Sequence, residues 1–341
     1  MQRETDTRAS LILGVNINLQ YASIPKRHRQ RMVACLEGLL QSIDETRTPV
    51  SLFFTGVSAE WLHTHRPQTV STVKRLHKQG LVEVGSHTYA HAVLTLLPEQ
   101  DQLWQVQWGE RVVREVFDAE VKGVFVPEFG FGQKTAMYLA RSEGSDYVIG
   151  PLGARSIHAF RTPEGLIVLQ PSARGSQRLK GFLMGRTPLP SLSRTRSYAI
   201  VADAEYPYFA AEDFGLGLDR WLTVLRQLRG THEAHLMGEW ILQARLTTRR
   251  YAPRIPPKHR QWFRGIQDYD ERVEVVGSAL RARPDADPKA VQALLLAENS
   301  DAYECMTQGY KGNGWDSDAE AALKRASRLV GIRSTLRARA S

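Results

Sequence analysis

Cysteine is nearly missing from this sequence: Cys35 and Cys305 are the two among 341 residues. They match no metal or redox motif, which argues against a disulfide scaffold and a thiolate metal cluster. No apolar run reaches the ~18–20 residues that a membrane helix needs. The opening stretch, MQRETDTRAS, is polar and holds no apolar signal region. The expectation is a reduced, cytoplasmic protein without a membrane partner. Negative charge is the other shortfall: 36 Asp and Glu stand against 45 Lys and Arg, a net of +9. Much of the excess sits in RLTTRRYAPRIPPKHRQWFRG (245–265) and in KRASRLVGIRSTLRARAS (324–341). These read as a solvated loop and a frayed end. No RNA-stacking signature or zinc finger accompanies them, so nucleic acid is not the expected partner, while an anionic substrate stays open.

Core material is present in ordinary measure, 42% hydrophobic against 24% charged, enough for one large domain with an appendage or for two. LILGVNI (11–17), PVSLFFTG (49–56), LVEVGS (81–86), VKGVFVP (121–127), DYVIG (146–150) and SYAIVAD (197–203) read as buried strands. Between them, 66–80, 99–117 and 134–144 read as helices, the first and third ending at a glycine. Alternation of this kind implies a parallel sheet, open or closed into a barrel. The TPEG turn within 158–172 predicts an inserted hairpin. The stretch 173–196, rich in Gly, Ser, Arg and Pro, reads as a long loop. Beyond 215 the pattern is helical, at 216–230, 269–284, 287–299 and 317–331. The expected organisation is a barrel over 1–230 and a helical region with a basic tail over 231–341.

In parallel α/β domains, functional groups collect at the carboxyl ends of strands. Here those ends carry Asn16 and Asn18, then Glu60 and Trp61, then His87 and His91, then Glu128, then Asp203 and Glu205. Glu83 lies inside the third strand. The H-x-x-x-H spacing of His87 and His91 suits one zinc, provided a third ligand exists. Aromatic residues follow both late carboxylates: Phe129 and Phe131 after Glu128, and Tyr206, Tyr208 and Phe209 after Asp203. Rings beside a carboxylate pair suit a sugar, and glycoside cleavage needs two carboxyl groups.

In their order, FFTGVSAEWL, GLVEVGSHTYAH, GVFVPEFGFGQKTAMYLARSEGSDYVIG and ADAEYPYF resemble glycoside hydrolase family 57, over residues 10 to 215. A weaker likeness surrounds LLLAENSDAYE (294–304). The resemblance implies a (β/α)7-type distorted parallel barrel followed by a C-terminal helical region. It also implies a retaining mechanism on an α-linked saccharide, by hydrolysis or glycosyl transfer. Glu128 matches the family's nucleophile, Asp203 its acid/base with Glu205 beside it, and Glu83 and His87 its pocket residues. Trp61 falls where the family has an aromatic, and Phe129 and Tyr206 join the substrate set. One departure stands out: the family's His-Gln-Pro segment is replaced by GVNINLQY, so Asn16 and Asn18 take a histidine's place. GSHTYAH also resembles the histidine motif of polysaccharide deacetylases, which pair it with aspartates at strand one. Asn16 and Asn18 are poor substitutes for anionic ligands, so no metal and no other cofactor is expected. A non-hydrolytic carbohydrate-binding barrel and a metal-dependent deacetylase are the alternatives.

Overall fold

The apolar runs pair as strands because each is hydrophobic on both faces, the pattern of a sheet covered on both sides. A computed structural model describes residues 8–130, 133–141, 146–153, 157–210, 214–249, 266–310 and 312–332. Its strands are β1 (Ser10–Ile17), β2 (Val50–Phe54), β3 (Val82–Ser86), β4 (Gly123–Phe125), β5 (Tyr147–Ile149), β6 (His158–Arg161), β7 (Ile167–Gln170), β8 (Tyr198–Asp203), β9 (Glu233–His235) and β10 (Thr247–Thr248). The helices of the sheet-bearing part are α1 (Arg29–Thr46), α2 (Gly56–His65), α3 (Pro67–Lys78), α4 (Glu99–Phe117), α5 (Gln133–Arg141), α6 (Ala173–Leu183), α7 (Phe214–Thr231) and α8 (Met237–Gln243). Strand order is β10-β6-β7-β5-β4-β3-β2-β1-β8, with β9 also on β1. The pairings are parallel apart from the β6–β7 hairpin, which is the insertion read at TPEG. This curled, mostly parallel sheet is the expected (β/α)7-type architecture.

Two readings need correction. The stretch 173–196 is not all loop: Ser172 accepts a hydrogen bond from Gly175 N and starts α6. Two glycines and few apolar residues hid that helix. The sheet also runs past residue 230, because β9 pairs Ser10–Ile12 and β10 pairs Phe160–Arg161. A barrel boundary at 230 therefore cuts through the sheet. Residues 250–265 and 333–341, which hold most of the two basic stretches, lie outside the described residues.

The helical region comprises α9 (Gln267–Arg281), α10 (Pro288–Ala297), α11 (Ser300–Thr307) and α12 (Trp315–Val330). It is bonded into the barrel. Gln105 of α4 donates to Leu295 O at 2.9 Å and to Glu298 at 3.0 Å. Asp101 of α4 pairs with Arg281. This explains why the buried face of α4 is more polar than its apolar stripe of Val106, Val113 and Phe117 suggests. Cys35 and Cys305 are both free and buried, and burial pushes each thiol up to about 12. Neither can serve as a thiolate at neutral pH.

Helix α4 also holds the turn that follows β3. Gln105 O accepts from Tyr89 N at 2.9 Å, and its side-chain oxygen accepts from Ala90 N at 3.0 Å. One turn along, a Cβ on Gly109 would come within 2.5 Å of Thr88 C and 2.8 Å of Thr88 O. Both neighbours are backbone, so the turn itself must shift. Gly109→Ala is expected to cost about 1–3 kcal/mol of stability, read from urea unfolding. Unfolding at the wild-type midpoint would show that α4 is not a fixed support for this turn.

Candidate active site

Strand register brings the polar rim together. Asn16 is the Cα partner of Asp203 across β1–β8, and of Phe53 across β1–β2. Phe54 pairs with Ser86, and Ser86 with Val124. The residues just beyond these strands therefore meet at one end of the sheet, around a cavity of about 500 Å³. Asn16, Asn18, His87, Glu128, Phe129, Asp203 and Tyr206 all line it, as do Tyr21, His91, Ser176, Gln177, Lys180, Asp301 and Glu304.

The backbone at this rim is unusual. Thr88, His91, Glu128 and Phe129 adopt left-handed conformations, four of the six such non-glycine residues described. Each costs of order 1–3 kcal/mol and is held in place by its surroundings, a pattern common at functional sites. Glu128 and Phe129 do so in succession, in the short 3-10 turn Pro127–Phe129 that follows β4. The strain turns the Glu128 side chain to the cavity.

His87 Nδ1 lies 2.5 Å from Phe125 O. A carbonyl can only accept, so Nδ1 carries the proton and Nε2 accepts from Asn16 Nδ2 at 3.2 Å. Burial, followed by repulsion from His91, pulls the His87 pKa well below its ordinary value. The ring is neutral. His91 behaves in the opposite way. Burial opposes its charge, but Asp301, with Nδ1 at 3.0 Å from its carboxylate, outweighs that and raises the pKa. Asp301 in turn accepts from Asn18 Nδ2 at 2.5 Å and Ala22 N at 3.0 Å. Asn299 caps α11 by accepting from Asp301 N at 2.7 Å, which fixes Asp301 at the cavity wall.

Asp203 has a raised pKa, chiefly from burial, with the Glu128 charge adding to the rise. Hydrogen bonds from Tyr206 and Asn16 and the charge on Lys180 oppose it. Asn16 thus bridges His87 and Asp203 through one amide. Its Oδ1 has no partner among the described residues.

Three residues expected in the pocket lie elsewhere. Glu205 is fully buried beside the cavity rather than lining it. Its Oε1 accepts from Asn18 N at 3.0 Å, and burial and Asp203 push its pKa well up. Glu83 sits midway along β3 and accepts from Tyr147 Oη and from Gly238 N at 2.8 Å, which anchors α8. Trp61 stacks on His65 at 4.7 Å, with Arg29 at 5.2 Å on its ring, away from the cavity. Sequence reasoning in turn passed over Tyr21, Lys180, Gln177 and Asp301. Asp301 had a signal in the SD of LLLAENSDAYE, whereas the α6 residues had none.

The histidine pair does not fit a metal. Both His87 nitrogens are engaged by Asn16 and Phe125 O, and His91 Nδ1 is engaged by Asp301. Among the described residues, no group of three His, Cys, Asp or Glu side chains is placed to hold a metal ion. The rim can do something else: it offers one carboxyl group with a raised pKa, a second carboxyl group in the same cavity, and aromatic walls. Glycoside cleavage requires a carboxyl pair of this kind.

Comparison with known proteins agrees. The family model for glycosyl hydrolase family 57 matches residues 15–162, the segment that carries Asn16, His87 and Glu128. Over that segment the chain is similar to members of this family. An α-amylase of Pyrococcus horikoshii is 28% identical over 143 residues, 42% of this chain and 22% of its own length. A 4-α-glucanotransferase of Thermococcus litoralis is 28% identical over 101 residues, 29% of this chain and 15% of its own. The chain thus spans less than a quarter of the length of these sequence relatives. Among solved structures, the α-amylase AmyC of Thermotoga maritima superposes with a TM-score of 0.69 at 14% identity, covering 98% of this chain and 95% of that one. A family 57-type branching enzyme of P. horikoshii gives 0.68 at 11% identity, covering 96% of each. These superpositions establish the shared fold.

Proposed function

We propose that the protein is a retaining glycoside hydrolase or glycosyltransfer enzyme acting on an α-linked glucan or oligosaccharide. Glu128 is the nucleophile and Asp203 the acid/base. The observation that carries this reading is the shared cavity: Glu128 and Asp203 face it together, and hydrogen bonds from Tyr206 and Asn16 and the Lys180 charge act on the proton of Asp203. In the first half-reaction Asp203 protonates the departing glycosidic oxygen as Glu128 attacks the anomeric carbon. In the second, Asp203 takes a proton from water or from a sugar hydroxyl, which displaces Glu128. The lining supports a neutral sugar, because Glu128, Asp203, Asp301 and Glu304 surround it against Lys180 and His91. Among the described residues no helix is long and apolar enough to cross a membrane, and the two buried, unpaired thiols favour a cytoplasmic setting for the reading.

The test is incubation with maltooligosaccharides and aryl α-maltosides, followed by proton NMR of the first product formed. Net retention at the anomeric carbon is expected. Inverted product, or no turnover with saccharide binding intact, sinks the reading. Asp203→Asn is expected to lose about 10²–10⁴-fold on natural glucans and far less on substrates with good leaving groups, which need little protonation. An equal loss on both would remove Asp203 as the acid.

A further inference from the structure

Asp203 is faced by charged and titratable groups from every side. Glu128 comes from the end of β4, Tyr21 from beyond β1, His91 from beyond β3, Glu205 and Tyr206 from its own strand end, and Lys180 from α6. Two of these are cations, and His91 is already paired with Asp301. Lys180 is not so engaged: among the described residues no carboxylate lies within ion-pair distance of it. Its ammonium rests over the Tyr206 ring, 4.8 Å from the centroid, and the Tyr206 hydroxyl donates to Asp203.

The placement is built in. Ser176, four residues before Lys180 and so on the same face of α6, accepts from Val201 N of β8 at 3.0 Å. At Gly175 the helix comes within 3.2 Å, measured from a Cβ position, of Ile200 Cγ1. Helix α6 is therefore pinned to the strand that carries Asp203, and Ser176, Gln177 and Lys180 all reach the cavity.

We propose that Lys180 is a positioning residue for Asp203: its ammonium, seated on the Tyr206 ring, decides the pH range over which Asp203 keeps its proton. Burial and Glu128 disfavour the charged carboxylate, and Lys180, which has no carboxylate partner among the described residues, limits their effect. Without it Asp203 would hold its proton too tightly to act as a base when the covalent intermediate breaks down. The inference rests on Asp203 being the acid/base.

The experiment compares the full-length wild type with Lys180→Met, Lys180→Gln and Lys180→Arg. Asp203 is titrated directly by carboxyl carbon NMR on aspartate-labelled protein, with Asp203→Asn identifying the resonance. In parallel, kcat/KM on an aryl α-maltoside is measured against pH. The midpoint of Asp203 is expected to move to higher pH in Lys180→Met and Lys180→Gln, and to return in Lys180→Arg. The alkaline limb of the rate profile is expected to follow. An unmoved Asp203 midpoint in both uncharged variants overturns the proposal, whatever happens to activity. A rise in KM alone also overturns it and makes Lys180 a substrate contact. A shifted midpoint with an unshifted alkaline limb upholds the Lys180 effect and instead removes Asp203 from the acid/base role.

Discussion

Glu128→Gln is expected to abolish turnover, with a loss on the order of 10⁴-fold or more, as for other nucleophile removals. An amide is isosteric with the carboxylate but cannot attack, so no covalent glycosyl intermediate forms. An activated fluoro-glycoside should label the wild type by one glycosyl unit in mass spectrometry, with the adduct mapped to Glu128. The variant should stay unlabelled. The left-handed backbone of Glu128 and Phe129 is unchanged by this substitution, so fold and saccharide binding should survive. An adduct found on Asp203 would exchange the two roles, and an adduct persisting in Glu128→Gln would remove Glu128 from the chemistry.

Asp301→Ala should be the most damaging change to stability at the site. It strips the partner from His91 and leaves Asn18 Nδ2 and Ala22 N without their acceptor. Breaking a buried pair from one side costs about 3–5 kcal/mol. The effect has a pH signature. His91 has its pKa raised in the folded protein, so the pair's contribution is complete below the ordinary histidine range and fades as pH rises through the folded value. Wild type should therefore lose stability across that interval, while Asp301→Asn, which keeps the shape without the charge, should lose much less. Urea midpoints on either side of the interval read this out. Identical slopes for wild type and Asp301→Asn would mean that His91 is not charged by Asp301.

The sheet and half of the site were legible for one reason: both follow from local pattern. A buried parallel strand is a short apolar run, and the polar residues after it land at one rim. Asn16, His87, Glu128 and Asp203 could be placed by reading along the chain. The family resemblance added roles to them, and it also misplaced some residues. Glu83 and Trp61 were assigned to the pocket by motif, whereas β3 register puts Glu83 below the rim against α8 and the Arg29 stack holds Trp61 outside. Lys180 and Asp301 lie on helices whose approach to the rim is decided by packing. For Lys180 that means α6 on β8. For Asp301 it means α11 capped by Asn299 and locked to the β1 end. No periodicity in either helix points at the cavity, so these residues became visible with the tertiary structure.

The bond from Asn18 to Asp301 joins positions 283 residues apart. A chain made from its N-terminus at about 5–20 residues per second needs roughly 15–60 s to cover that distance. Over the last 98 residues of that stretch, from Asp203 to Asp301, the nascent protein holds both cavity carboxyl groups but lacks the wall that α11 supplies. His91 waits without its anion, and the amides of Asn18 and Ala22 are met by water. The cavity is thus closed by a part of the polypeptide made later than the strands that carry its carboxyl groups.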